Sequence, residues 1–134
     1  VMMHLTRDQF AAWLDRYIAA WRSGDANDIG DLFSEDVVYS QNGGQTSISG
    51  REAVVQDWLE GAYEPEAEWE ASYEPLAIED QVHVAVGSTR YLRDHGVHED
   101  FSNIFVCRFD EDGRCHELRE WWMLAPSPVS RLDD

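Results

Sequence analysis

Hydrophobic residues recur at helical spacing in the first part of the chain. Within "TRDQFAAWLDRYIAAWRSGD" they stand at i, i+3, i+4, i+7, i+8 and i+11, as Phe10, Trp13, Leu14, Tyr17, Ile18 and Trp21. Thr6 and Gln9 precede this run at capping-box spacing, and Gly24 follows it. The pattern predicts a long amphipathic helix that begins after Thr6 and ends at Gly24.

Shorter elements follow before the pattern changes. Residues 25–33 predict a short second helix, "DVVYS" predicts a strand, and "NGGQTSISG" predicts a loop. Ser49 and Glu52 have the spacing of a second capping box, which predicts a third helix that ends near Glu60.

After that point the hydrophobic period becomes two. The stretches "AEWEASYEPLAIE", "QVHVAVGSTRYLR", "VHEDFSNIFVCRF" and "RCHELREWWM" are separated by the turn signals "ED", "DHG" and "DEDG". They predict four long antiparallel strands. This order predicts an α+β fold in which a curved antiparallel β-sheet wraps around three N-terminal helices and forms a conical cavity. We expect a single domain over residues 1–124 and a flexible tail over 125–134.

The "DEDG" turn suggests a register for the last hairpin. If Phe109 pairs with Arg114, Cys107 and Cys115 point to opposite faces of the sheet, and both thiols are expected to stay reduced. The same register places Phe105 opposite Leu118 and Asn103 opposite Glu120. It also places Glu120 on one face of its strand together with Leu118 and Trp122.

The amino-acid composition argues against two classes of binding partner. Acidic residues number 27 against 10 basic ones, all arginine, and the formal net charge is −17. Such a charge disfavours binding to nucleic acids and to anionic membranes. No apolar run approaches the length of a membrane span, and "VMMHLTRDQF" lacks the features of a signal peptide. We therefore expect a cytoplasmic protein.

The pieces "RYIAAWRSGD", "LFSEDVVYSQN", "SGREAVVQDW" and "RFDEDGRCHELREWW" resemble the SnoaL-like branch of the nuclear-transport-factor-two-like superfamily. The hairpin "RFDEDGR" is particularly similar to that of ketosteroid isomerases, which use a helix-one Tyr and an apolar-site acid as oxyanion donors and an Asp as base. Tyr17 matches the Tyr, but the base position falls on Gln41 and the acid position on Phe105. Steroid isomerase chemistry is therefore not expected.

Limonene epoxide hydrolases offer a second comparison within the resemblance. Their Tyr and Asn on the first strand fall on Tyr39 and Gln41, and their water-activating Asp falls on Glu120. Their Arg and second Asp fall on Ser88 and Arg90. The resemblance thus implies that Glu120 activates water while Tyr39 and Gln41 orient it, with Arg90 setting the charge state of Glu120.

The sequence gives less support to a catalytic histidine or to a metal site. Scytalone dehydratases and SnoaL-type cyclases rely on an inward His, whereas His83 and His98 are out of phase with the inward positions and only His116 is in phase. The stretch "HGVHED" contains possible metal ligands, but neighbouring strand residues point to opposite faces, so a polar hairpin is favoured over a metal site.

Glu120 itself allows two interpretations. It is an acid or base inside the cone, or a carboxylate that braces the sheet by pairing with Arg90 or that lies at a wet cavity mouth. Asp57 either faces the cavity or, as is favoured, lies on the helix surface. Asn103 is either a cross-strand partner of Glu120 or a substrate contact.

The sequence therefore favours a cofactor-independent small-molecule enzyme that performs water addition, epoxide opening, dehydration or cyclisation on a cyclic apolar substrate. The alternative is a non-catalytic binding or assembly domain, and in both cases a homodimer through the outer sheet face is expected by resemblance. The candidate catalytic residues are Glu120, Tyr39, Gln41 and Arg90. The candidate substrate-binding residues are Tyr17, Trp21, Asp57, Ser88, Asn103, Phe105, Leu118 and Trp122.

Overall fold

The computed structural model describes residues 2–61, 68–92 and 98–124. The predicted "DHG" turn and the predicted C-terminal tail lie outside these ranges. Within them, no helix is both long enough and apolar enough to cross a membrane.

Three helices form where the hydrophobic spacing predicted them. The first, α1, spans Arg7–Ser23, and the second, α2, spans Ala26–Gly30. The third, α3, spans Arg51–Gly61. The capping box at the start of α1 is confirmed, since Thr6 and Gln9 exchange side-chain to backbone hydrogen bonds of 2.9 and 3.1 Å.

The strands form one curved sheet. Their bounds are Met2–Met3 (β1), Phe33–Gln41 (β2), Thr46–Ser49 (β3), Glu68–Glu79 (β4), Val82–Leu92 (β5), His98–Asp110 (β6) and Cys115–Leu124 (β7). The order is β3-β2-β7-β6-β5-β4, and β1 pairs with the end of β6. The expected α+β cone is confirmed, although β2 and β7 pair in parallel while the other pairs are antiparallel.

Two local predictions around β2 are corrected. Phe33, predicted to end a helix, begins the strand, because α2 ends at Gly30. Part of the predicted "NGGQTSISG" loop is a strand, since Thr46–Ser49 pairs with the end of β2. The turn that joins them uses left-handed backbone at Asn42, a conformation that Asn tolerates better than most residues.

The last hairpin also differs from the predicted register. The turn is one residue longer than expected, because the Asp110 carboxylate accepts hydrogen bonds from the N–H groups of Asp112 (2.9 Å) and Arg114 (3.0 Å). A β-bulge then adds one more residue to β7. Phe109 consequently pairs one position further along β7 than predicted, and the β6 residues up to Arg108 pair two positions further, so that Phe105 lies opposite Glu120.

The bulge also changes which side chains point inward. Cys115 turns to the inner face, so Cys107 and Cys115 are both buried there instead of pointing to opposite faces, and both are free. Burial, then hydrogen bonding with Cys115, raises the pKa of the Cys107 thiol. The prediction that His116 points inward is wrong, since its ring lies 3.2 Å from the carboxylate of Asp36 on a partly exposed surface.

The core lies between α1 and the concave face of the sheet. Trp13 is fully packed there, and its indole N–H donates to the Leu32 carbonyl at 3.2 Å. His83 also points inward, contrary to the sequence prediction. It accepts a hydrogen bond from the Leu5 N–H (2.9 Å) and lies 3.3 Å from the Cys107 carbonyl. Burial lowers the pKa of His83, in agreement with a neutral ring in this position.

Gly87 lets two strands approach each other closely on the inner face. A Cβ atom here would lie 2.0 Å from the Ser72 carbonyl oxygen and 2.5 Å from Cδ1 of Tyr73. The Tyr73 ring therefore occupies the space above Gly87, where it contacts the rings of Phe105 and Tyr17 at centroid distances of 4.9 and 6.1 Å. The absence of a side chain at Gly87 thus leaves the space in which the Tyr73 ring and its hydroxyl lie.

We expect Gly87→Ala to lower the free energy of unfolding by about 1–3 kcal/mol, because the new methyl group overpacks this contact. The measurement is urea denaturation followed by tryptophan fluorescence. Gly30→Ala is the control, since a Cβ there would meet atoms of Arg51 and Val55 at an ordinary 3.8 Å. Equal stability changes in the two variants would contradict the close contact.

Candidate functional site

A buried carboxylate lies at the centre of the inner face. Glu120 is 7% exposed and accepts hydrogen bonds from three neutral side chains. The Tyr39 hydroxyl donates to Oε1 at 2.8 Å, and the Gln41 amide donates to the same oxygen at 3.3 Å. The Asn103 amide donates to Oε2 at 3.1 Å. The predicted grouping of Tyr39, Gln41 and Glu120 is thus present in the structure.

The site continues across the sheet as a row of hydrogen bonds, which we call the polar band: Tyr39, Glu120, Asn103, Thr89 and Tyr73. Beyond Asn103, the Thr89 hydroxyl donates to Asn103 Oδ1 at 3.0 Å and lies 2.6 Å from the Tyr73 hydroxyl. Consecutive members of the band stand on neighbouring strands and are diagonal neighbours in the register. Diagonal side chains on one face are close enough for such contacts.

The α1 helix closes the band from the other side. Tyr17 is buried against the rings of Phe105 (5.5 Å between centroids) and Trp58 (4.8 Å). Its hydroxyl interacts with that of Tyr39. Burial first, and then the neighbouring tyrosine and Glu120, raises the pKa of Tyr17, so both tyrosines are neutral hydrogen-bonding groups.

Burial has the largest effect on the pKa of the Glu120 carboxyl group. It raises the pKa of Glu120 above the ordinary value of 4.5, and the hydrogen bonds from Tyr39, Gln41 and Asn103 oppose this rise. The partners of Glu120 in the described part of the chain carry no positive charge, so the carboxylate depends on neutral donors alone. Such a group can take up a proton at a higher pH than an exposed glutamate.

The predicted role of Arg90 is corrected. Side chains of β5 that point inward include Thr89, whereas Ser88 and Arg90 are exposed on the outer face. The Arg90 guanidinium forms hydrogen bonds with the Asp100 carboxylate at 2.7 and 3.2 Å. Neither Ser88 nor Arg90 therefore faces Glu120, and the strand phase inferred from the resemblance is off by one residue.

The other predicted site residues fall into three groups. Tyr17, Phe105 and Leu118 are buried in the core. Asn103 donates a hydrogen bond to Glu120, so it is the cross-strand partner that one of its two predicted alternatives described. Trp21 is half-buried, and Trp122 is 44% exposed. Asp57 lies on the exposed face of α3, as the favoured alternative predicted.

Sequence reasoning missed Thr89 and Tyr73. A usable signal was present, because Ala85, Gly87, Thr89 and Tyr91 share one face of β5, and a small residue such as Gly87 opposite the aromatic Tyr73 suggests an inner contact. The described residues contain no group of three or more His, Cys, Asp or Glu side chains placed to hold a metal ion. His95 and the side chain of His98 lie outside that description.

Aromatic side chains border the polar band on one side. Tyr91, Phe101 and Trp122 lie two residues beyond Thr89, Asn103 and Glu120 on their strands, and hence on the same face. Tyr91 and Trp122 both lie 5.7 Å from Phe101 by ring centroids, and Trp21 stacks on Trp69 at 4.2 Å. We call these the aromatic collar: Trp21, Trp69, Tyr91, Phe101 and Trp122.

A surface cleft lies away from the buried carboxylate. It is an open surface cleft of about 800 Å³ lined by His4, Ala77, Glu79, Asp80, Gln81, Val82, Val84 and Arg108. None of these residues belongs to the polar band or to the aromatic collar. The buried carboxylate and this cleft are therefore separate features.

Comparison with known proteins gives one family and several structures. A family model described as a SnoaL-like domain matches residues 14–118. No curated protein matches the chain in sequence. An LEH-like epoxide hydrolase from M. tuberculosis superposes with a TM-score of 0.68 at 14% identity, covering 87% of this chain and 84% of the other.

Two further structures are similar to the same extent. A candidate ketosteroid isomerase from Kribbella flavida DSM 17836 has a TM-score of 0.66 and 16% identity over 91% of this chain and 83% of its own. A domain of unknown function with a cystatin-like fold from Nostoc punctiforme PCC 73102 has a TM-score of 0.67 and 17% identity over 93% and 82%. At these identities the three structures support the fold alone.

The raised pKa of Glu120 has a measurable effect on stability. Because the folded state binds this proton more tightly than the unfolded state, the contribution of Glu120 to stability is greatest at low pH. It is lost as the pH rises from about 4.5 through the folded-state pKa. In Glu120→Gln this contribution is absent. We therefore expect the stability of the wild type relative to Glu120→Gln to fall with rising pH over that interval.

Urea denaturation at a series of pH values measures this difference. His83, whose pKa is lowered, makes the protein more stable as the pH rises towards 6.5, but it is present in both proteins and cancels in the comparison. A stability difference that does not vary with pH would contradict a raised pKa at Glu120.

Proposed function

Since the chain belongs to the SnoaL-like domain family, we propose that it is a small-molecule enzyme that uses Glu120 for acid/base chemistry on a cyclic, mostly apolar substrate. The observation that carries this proposal is a buried carboxylate held by three neutral donors and no cation among the described residues. A carboxylate whose pKa is raised is a stronger proton acceptor than one at its ordinary pKa.

The hydrogen bonds leave room for a reacting group. A carboxylate has about four acceptor positions on its two oxygens. Two donors approach Oε1 of Glu120 and one approaches Oε2. The remaining position on Oε2 is therefore the place where water or a substrate would deliver a proton.

The proposed reaction is the addition of water to a strained or unsaturated ring, with epoxide opening as its first example. Water loses a proton to Glu120 while its oxygen attacks carbon and the carbon–oxygen bond of the ring breaks. The protonated Glu120 then returns the proton to the new alkoxide, so that a diol forms and the carboxylate is restored. Dehydration and cyclisation use the same proton transfers. The reaction needs no metal or organic cofactor.

The aromatic collar supports the proposed substrate class. Its rings present flat, apolar surface next to the polar band, and such surfaces favour cyclic apolar molecules over charged ones. Ketosteroid isomerisation is not proposed, because Gln41 and Phe105 stand at the positions where that chemistry needs carboxylic acids. We propose that the enzyme works in the cytosol, where Cys107 and Cys115 would stay reduced.

A second candidate function is a binding domain without catalysis. The packing of Tyr17, Tyr73 and Phe105 against one another favours it, because these rings occupy the interior next to the polar band. In that case Glu120 would orient a ligand or stabilise the core. Turnover that depends on Glu120 separates the two functions.

We expect Glu120→Gln to lower kcat/KM by about 10²–10⁴-fold on any substrate found by screening cyclic epoxides and polyketide-like alcohols. Tyr39→Phe should reduce turnover as well, because it removes a donor from Oε1. Glu117→Gln is the matched control, since it removes a partly exposed carboxylate from the same strand as Glu120, where it pairs with Arg108 of β6. Binding without turnover, or equal activity of Glu120→Gln and Glu117→Gln, would favour the binding domain.

We also propose that the protein forms a homodimer through the outer face of the central strands. Ile104 is 45% exposed there, next to Trp121, and the Arg119 guanidinium lies over the Trp121 ring at 4.9 Å. The β4 strand, predicted to contribute, presents mainly glutamates outward, whereas Trp69 and Tyr73 point to the inner face. The proposed interface therefore centres on β6 and β7.

Ile104→Asp should weaken self-association by about tenfold or more, because it places a charge in the apolar patch. Sedimentation velocity over a concentration series measures this. Association should strengthen with salt, since salt screens the repulsion between two chains of formal net charge −17. Leu76→Asp, at an apolar site on β4 that is even more exposed than Ile104, is the control. A wild type that is monomeric at high salt and high concentration would refute the dimer.

A further inference from the structure

Two buried hydroxyl groups, those of Thr89 and Tyr73, continue the row of hydrogen bonds from the amide that bonds to Glu120. Asn103 presents its Nδ2 to Glu120 and its Oδ1 to Thr89, so the direction of its side chain depends on what Thr89 donates or accepts. As an extension of the proposed proton-handling role of Glu120, we propose that Thr89 and Tyr73 are positioning residues. They hold Asn103 as a donor and thereby keep Glu120 a proton acceptor.

Counting hydrogens gives the direction of each bond in the resting site. The Thr89 hydroxyl has one hydrogen, which goes to Asn103 Oδ1 at 3.0 Å. The Tyr73 hydroxyl, 2.6 Å from Thr89 Oγ1, must then be the donor in that pair. Tyr73 therefore donates to Thr89, Thr89 to Asn103 and Asn103 to Glu120. In such a chain of donors each hydrogen bond strengthens the next.

The reverse arrangement is unfavourable. A protonated Glu120 that donates to Asn103 requires the amide to turn over, after which Thr89 accepts from Asn103 and donates to Tyr73. The hydrogen of the Tyr73 hydroxyl would then lose its acceptor, because Thr89 is its hydrogen-bond partner among the described residues. With Thr89 and Asn103 at 2% and 5% exposure, water does not readily replace the lost bond.

Other titratable groups do not provide this control. The groups of the described residues that interact with Glu120 are Tyr17 from α1, Tyr39 from β2, Tyr73 from β4 and Cys107 from β6. Burial raises the pKa of each of them, so all four stay neutral while Glu120 titrates. The orientation of neutral dipoles, above all that of Asn103, is therefore what the protein can adjust.

The test compares Thr89→Val, which keeps the shape but removes the hydroxyl, with Thr89→Ser, which keeps the hydroxyl. The readout is the carboxyl ¹³C titration of Glu120, assigned by its absence in Glu120→Gln. In Thr89→Val the amide is free to turn over, and we expect Glu120 to bind its proton about tenfold more tightly, the size of a lost hydrogen bond to a charged group. Thr89→Ser should titrate like the wild type. Equal titration of the Val and Ser variants would overturn the proposal.

A second measurement needs no variant at position 89, in case Thr89→Val does not fold. The side-chain amide resonances of Asn103 in the wild type should shift with the midpoint of the Glu120 titration, because its Nδ2 group keeps donating to the Oε2 atom of a carboxylate that loses its charge. Resonances that stay constant through that titration would overturn the proposal.

The result also separates this proposal from the proposed activity, because neither titration needs a substrate. If Thr89→Val shifts the titration and no turnover is found, the positioning role stands and the catalytic role falls. If turnover depends on Glu120 and the titration ignores Thr89, the positioning role alone falls.

Discussion

The rest of the site depends on keeping one carboxylate inside an apolar core. A buried charge without compensation costs several kcal/mol, and here the compensation comes from donors on β2 and β6 instead of an arginine. With neutral donors, burial raises the pKa of Glu120 while the hydrogen bonds lower it, so that a change in one hydrogen bond alters the pKa. An ion pair with a cation would have held the group permanently charged. With neutral partners, the proton affinity of this carboxyl group is set by the opposing effects of burial and hydrogen bonding.

Strand register supplies these partners. The bulge at the start of β7 determines which residues of that strand point inward, and the parallel pairing of β2 with β7 brings Tyr39 and Gln41 alongside Glu120. On the opposite side, Gly87 makes room for Tyr73, so an absent side chain on β5 places the far end of the polar band. The chemistry of the site therefore depends on three backbone features that carry no reactive group themselves.

The architecture could be predicted from the sequence because hydrophobic periods report elements directly. The helix from Arg7 to Ser23 and the four long strands appear where the periods of 3.6 and two indicated them. The face of the sheet to which each side chain points is harder to predict, because a single bulge or a one-residue offset reverses every side chain beyond it. The resemblance to epoxide hydrolases identifies Tyr39, Gln41 and Glu120, whereas the error in strand phase assigns Arg90 to the wrong face and leaves Thr89 out. Partners that meet through diagonal contacts, such as Thr89 and Tyr73, can be recognised only once the inward face of each strand is known.

The distance along the chain between the site residues also bears on how the protein folds. Tyr39 and Gln41 precede Glu120 by 81 and 79 positions, and their strands are joined only when β7 has docked against β2. Contacts of this range form late, because a long loop must close before they bring any stabilisation. During synthesis, β7, which carries the acid, is also made after the other six strands of the sheet. The contacts of Tyr39 and Gln41 with Glu120 thus exist only once β7 has paired with β2, and a chain that stops short of β7 keeps these two donors but has no acid to bind.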